Sequence, residues 1–129
     1  MNPQSLARAC LDEMLKDDAC SAALGMEVVN IDERCASVRM VVRSDMVNGH
    51  GLCHGGMIFS LADSTFAFAC NSENHSALAA AGQIDFLAPA KLNDELTATA
   101  TVVNQGKRKG IYDVTVVHQL QERIAIFRG

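Results

Sequence analysis

The run Met57-Ile58-Phe59-Ser60-Leu61-Ala62-Asp63-Ser64-Thr65-Phe66-Ala67-Phe68-Ala69-Cys70-Asn71 decides the architecture. It makes about four turns at 3.6 residues each, and apolar side chains fall on nearly every side of it. A helix of that kind has little to offer water, so the rest of the chain must enclose it. The helix is expected over 56–71. Upstream, 26–31 and 36–42 flank the polar turn Asp32-Glu33-Arg34 and predict a hairpin. Downstream of the turn Asn71-Ser72-Glu73-Asn74-His75, the period changes to two and four strands are expected, near 77–87, 95–104, 111–120 and 124–128. Thr97, Thr99 and Thr101 alternate with Leu96, Ala98, Ala100 and Val102, which puts the threonines on one sheet face. Residues 106–110 and 121–123 have the composition of hairpin turns. With an amphipathic helix expected over 4–24, the order is helix, two strands, one enclosed helix, four strands. That order predicts an α+β fold in which an antiparallel sheet wraps a central helix.

At 129 residues the chain fits a single domain, 1–129, long enough to build a core by packing alone. Lys and Arg number 11 against 15 Asp and Glu, a net charge of −4, which argues against a general nucleic-acid binder. The longest stretch without Asp, Glu, Lys or Arg, 46–62, carries Asn48, His50, His54 and four glycines and is unsuited to span a membrane. The first residues lack the basic start and apolar run of a secretory signal, so a cytoplasmic protein is expected. Cys10, Cys20, Cys35, Cys53 and Cys70 stand singly and are odd in number, which fits a reduced compartment and packed thiols.

The chemistry gathers where the loop 43–56 meets the helix. Gly55 and Gly56 open that helix, where backbone N–H groups lack intrahelical partners and the dipole favours negative charge. A glycine backbone also admits a ligand closely. An oxyanion would be stabilised there; a plain loop-to-helix hinge is the alternative. Asp63 is a carboxylate within the most apolar helix, a costly placement without compensation. It is either a structural hydrogen-bond partner or a reacting group. Asn48 is a neutral donor and acceptor, suited to hold a water or a carbonyl, or simply to make the turn before Gly49. His50, Cys53 and His54 include zinc-type ligands, but no second Cys or His cluster completes a tetrahedral set, so no metal is expected. Ser60, Ser64 and Thr65 lack the Gly-x-Ser-x-Gly elbow of a serine nucleophile. Lys107-Arg108-Lys109 reads most simply as a solvated hairpin turn; with Lys91 and Arg128 it is also a candidate to hold a phosphate-bearing ligand.

The pattern Asn48-x-x-Gly51-x-x-His54-Gly55-Gly56, followed by Asp63 in the helix, resembles the hotdog-fold acyl-CoA thioesterases. The blocks Asn48-Gly49-His50, Cys53-His54-Gly55-Gly56, Phe59-Ser60-Leu61-Ala62-Asp63, Ala69-Cys70-Asn71-Ser72, Ile84-Asp85-Phe86-Leu87 and Phe127-Arg128-Gly129 are similar to the phenylacetate-degradation branch of that family. The resemblance implies a hotdog fold and hydrolysis of phenylacetyl-CoA, its hydroxylated derivatives or related aryl-acyl-CoA thioesters. It implies that the Gly55 N–H polarises the thioester carbonyl and that Asp63 is the nucleophile or general base. Asn48 then positions the attacking water, and His54 polarises the carbonyl region or fixes the loop. Gly56, Ser64, Phe66 and Arg128 are the substrate-binding candidates. No cofactor is expected, coenzyme A being part of the substrate. A hotdog enoyl-thioester hydratase and a non-catalytic acyl-CoA binding module are the rival readings. Gly55 and Asp63 are eight residues apart, roughly 12 Å along one helix at 1.5 Å per residue, too far to act on one carbonyl. A homodimer with shared sites is therefore expected, and the resemblance implies its assembly as a homotetramer.

Overall fold

The computed structural model describes residues 1–129. Three helices, α1 (Pro3–Leu15), α2 (Ala19–Ala23) and α3 (Gly55–Cys70), accompany six strands: β1 (Glu27–Asp32), β2 (Cys35–Val41), β3 (Gln83–Phe86), β4 (Glu95–Gln105), β5 (Gly110–Val117) and β6 (Arg123–Arg128). The strands form one sheet in the order β1-β2-β4-β5-β6-β3, and every pairing is antiparallel. The sheet curls around α3, the α+β arrangement expected.

Side-chain size explains where α3 rests. The inward residues of β2 and β4 include Ala36, Ala98 and Ala100, all with no exposed surface, so the helix approaches closely over the sheet's middle. Leu61, Ala62 and Ala69 of α3 are equally inaccessible there, and a fully buried leucine contributes about 1.5–3 kcal/mol. Thr65, also inaccessible, satisfies its hydroxyl by donating to the Leu61 carbonyl oxygen one turn back. On the other sheet face Thr97 and Thr99 are half-buried and Ser37 shares a hydrogen bond with Thr99, as the period of two requires. The end of α3 is pinned by Ser72, whose hydroxyl accepts from the Arg34 N–H of the β1–β2 turn and donates to the Ala69 carbonyl oxygen. No helix is long and apolar enough to cross a membrane.

Three sequence expectations need correction. The helix expected over 4–24 is two helices, because Asp18 caps a new one: its Oδ1 accepts from the Ser21 N–H. The strand expected over 77–87 shrinks to Gln83–Phe86. Ala77 to Gly82 are rich in small residues with little strand preference, and the side chain of Asn71 ties Ala77 back to the end of α3. The strand expected to reach 120 stops at Val117, because His118 to Gln121 form a turn in which Gln121 takes φ 68°.

Candidate active site

Loop and helix meet at His54. Its backbone N–H donates to the Met46 carbonyl oxygen, while its side-chain Nδ1 caps α3 by accepting from the Gly56 N–H at 3.1 Å. The Met57 N–H donates to the His54 carbonyl oxygen. Of the first donors of the helix, the Gly55 N–H alone has no partner. The Gly56, Met57 and Ile58 N–H groups all bond to His54 and the Gly55 N–H is left free, where the helix dipole adds to its pull on a negative oxygen. Gly56, expected to bind substrate, is instead committed to the cap through its N–H.

Asn48 closes the loop. Its Oδ1 accepts from the His50 and Leu52 N–H groups, at 2.9 and 3.2 Å, so the acceptor expected to hold a water is occupied. The amide Nδ2 makes no hydrogen bond within the chain, which leaves its two donors free. Asn48 and Gly55 line one groove of about 390 Å³, walled by Leu52, Cys53, Ile58 and the segment from Phe86 to Ala90. The Cys53 N–H donates to the Ala90 carbonyl oxygen, and Leu52 bridges to Lys91, which holds that segment against the loop. Burial pushes the Cys53 thiol up to about 11, so it stays protonated and acts as an apolar wall.

Asp63 lies half-buried on the side of α3 turned from the sheet, outside this groove. Its carboxylate has no hydrogen bond or ion pair in the chain, and burial raises its pKa above the ordinary aspartate value. A structural hydrogen-bond role is thereby excluded within one chain. The carboxylate is partly desolvated and has no compensating partner in the chain.

The other substrate-binding candidates are placed elsewhere. Ser64 shares a 2.9 Å hydrogen bond with Ser21, whose hydroxyl donates to Asp18 Oδ2 at 2.7 Å. A carboxylate only accepts, so Ser64 must donate to Ser21, and its proton is spent on joining α3 to α2. Phe66 is 6% exposed and packs with Tyr112 and Phe127 at centroid separations of 5.9 and 5.6 Å, which makes it core. Arg128 lies on the outer sheet face and holds Asp113 with two hydrogen bonds, at 2.6 and 2.9 Å. Asp113 is correspondingly held below the usual carboxylate range by that guanidinium. The wall from Phe86 to Ala90 carries no site signature in the sequence. No local period reports it, because it joins the loop only through contacts between distant segments.

The chain compares closely with known proteins. The model of the thioesterase superfamily matches residues 50–125. Acyl-coenzyme A thioesterase PaaI of Escherichia coli K12 is 52% identical over 116 residues, covering 90% of this chain and 83% of that one. The solved structure of the E. coli PaaI protein, from the phenylacetic acid degradation operon, superposes with a TM-score of 0.98 at 48% identity, over 99% of this chain and 93% of that one. A Streptococcus mutans UA159 protein solved bound to acetyl CoA superposes with a TM-score of 0.78 at 28% identity, over 80% of this chain and 83% of that one.

Proposed function

Since the chain belongs to the thioesterase superfamily and is an acyl-CoA thioesterase of hotdog fold, we propose that its substrates are phenylacetyl-CoA, its hydroxylated derivatives and related aryl-acyl-CoA thioesters. The observation that carries the reading is the unpartnered Gly55 N–H, set at a helix N-terminus beside an apolar groove. A thioester carbonyl oxygen seated there gains more from the N–H and the dipole as it becomes an oxyanion, which is transition-state stabilisation. The Asn48 amide donates to the same oxygen or to the attacking water. Asp63 supplies the base or nucleophile: it takes a proton as water attacks the carbonyl carbon, or attacks that carbon itself. By the first route the carbon–sulfur bond breaks and the proton held by Asp63 passes to the departing sulfur, giving the acid and coenzyme A; by the second the bond breaks to leave an acyl–aspartyl anhydride and a thiolate that solvent protonates, and water then hydrolyses the anhydride to release the acid and restore Asp63.

Asp63 cannot deliver this chemistry to its own Gly55 across roughly 12 Å of helix. A two-fold dimer with antiparallel α3 helices sets the N-terminus of one beside the middle of the other and yields two equivalent sites. The outward side of α3 suits such contact, since Gly56, Ser60, Ala67 and Cys70 around Asp63 are small. Pairs of these dimers would make a homotetramer. No metal or redox cofactor enters the scheme.

Thiol release measured over a panel of aryl and alkyl acyl-CoAs tests the substrate class. Phenylacetyl-CoA and its hydroxylated derivatives should give the highest kcat/KM. Alkyl chains exceeding every aryl group would overturn it, and ligand binding without thiol release would favour the binding-module reading.

A further inference from the structure

Five phenylalanines occur in the chain, and four are committed to the interior. Phe59, Phe66 and Phe127 form a cluster with centroids 5.4 and 5.6 Å from Phe127, and Phe68 is 2% exposed. Phe86 is different. It ends the edge strand β3 on the same face as Ile84, which packs on the core, and its ladder partner Ala125 is too small to absorb its ring. The ring extends over the start of α3 instead. A Cβ placed on Gly55 would lie 3.0 Å from Phe86 Cζ and 3.5 Å from both Cε atoms. Phe86 nevertheless keeps 53% of its surface exposed. It is the one aromatic residue lining the groove, whose other apolar wall is aliphatic or sulfur.

We infer that Phe86 sets the acyl specificity of this site, its ring providing the aromatic contact for the aryl group of a substrate whose carbonyl oxygen is held by the Gly55 N–H. The inference rests on the aryl-acyl reading above and adds the residue that enforces it. An arylacetyl group has a single carbon between carbonyl and ring. A carbonyl held at Gly55 therefore leaves the substrate ring able to reach the Phe86 ring, within the ~4.5–7 Å centroid range at which aromatic rings attract. The same contact bears on position 55: its φ is unexceptional, and a Cβ there would press on the tip of the Phe86 ring, which would have to give by a few tenths of an ångström.

Phenylacetyl-CoA and cyclohexylacetyl-CoA are matched in length and bulk and differ in aromaticity, so the ratio of their kcat/KM values isolates the ring contact. The non-hydrolysable thioether of each, titrated by calorimetry, gives the same ratio from Kd without requiring turnover. The wild-type protein should favour the phenyl compound by about 2- to 12-fold in both ratios, the usual worth of an aromatic pair. Phe86→Leu should bring both to near unity while Phe86→Tyr keeps them. Ratios unchanged in Phe86→Leu, or no preference in the wild-type protein, would overturn the inference, as would Phe86→Leu weakening both compounds equally. A wild-type protein that prefers long alkyl chains over aryl groups in thiol release, yet loses its phenyl over cyclohexyl ratio in Phe86→Leu, would sink the substrate reading and leave the contact standing.

Discussion

At the scale of single residues, the base or nucleophile role proposed for Asp63 goes with a stability cost. Its carboxylate is half-buried with no partner in the chain, and desolvation raises its pKa. The folded state then binds a proton more tightly than the unfolded one. Between the ordinary aspartate pKa and the raised one, stability falls as pH rises, and above the raised value the full penalty remains. Asp63→Asn removes the charge at constant shape. The turnover number should drop by about 10²- to 10⁴-fold, the usual contribution of a positioned general base, while the melting temperature at pH 7 rises. Thiol-release kinetics and thermal unfolding of the same preparations check both. In the wild-type protein, the acid limb of kcat/KM should lie above the ordinary carboxylate pKa of about 4. Near-normal turnover in Asp63→Asn would remove the residue from the chemistry.

At the scale of an element, the start of α3 depends on His54. Its Nδ1 accepts from the Gly56 N–H, and without that cap a second helix donor would be left open beside Gly55. His54→Ala should cost about 1 kcal/mol of stability, as loss of a side-chain cap usually does. His54→Asn separates the two roles considered for this residue, because asparagine caps well but lacks the imidazole. If His54 acts only by fixing the loop and helix end, His54→Asn regains both stability and kcat/KM. If the imidazole polarises the thioester carbonyl, stability returns and kcat does not. Chemical denaturation and steady-state kinetics on both variants decide between them.

At the scale of the whole molecule, the groove holds Asn48 and Gly55 while Asp63 lies outside it. A site shared by two subunits makes a prediction that an intrachain site does not. Asp63→Asn and Gly55→Leu should each be inactive, the second because its side chain strikes Phe86 and blocks the oxyanion position. After subunit exchange, a mixed dimer carries both defects in one site and none in the other, so activity should return to part of the wild-type level. Mixed dimers that form and stay inactive, or a fully active monomer at high dilution, would exclude the shared site.

What the sequence determined by itself was everything carried by short-range pattern. The apolar run of α3, the alternation of β4 around its threonines and the glycines at the helix start each depend on residues a few positions apart, and each folds as that spacing requires. The breaks in the first helix and in the strand expected over 77–87 depended on caps and small residues that compete with periodicity. Which side chains meet was decided only by tertiary structure. Ser64 joins Ser21 across 43 residues, Arg128 meets Asp113 through the register of β5 and β6, and Phe66 turns into the sheet. Each was a reasonable ligand-binding residue by type, and each has its polar or apolar surface taken by a partner from another segment. Phe86 is the converse: its part in the groove arises because a four-residue edge strand ends over Gly55. Local pattern sets which way a side chain points along its own element, while register and packing set what it reaches, and the site is made of what is reached.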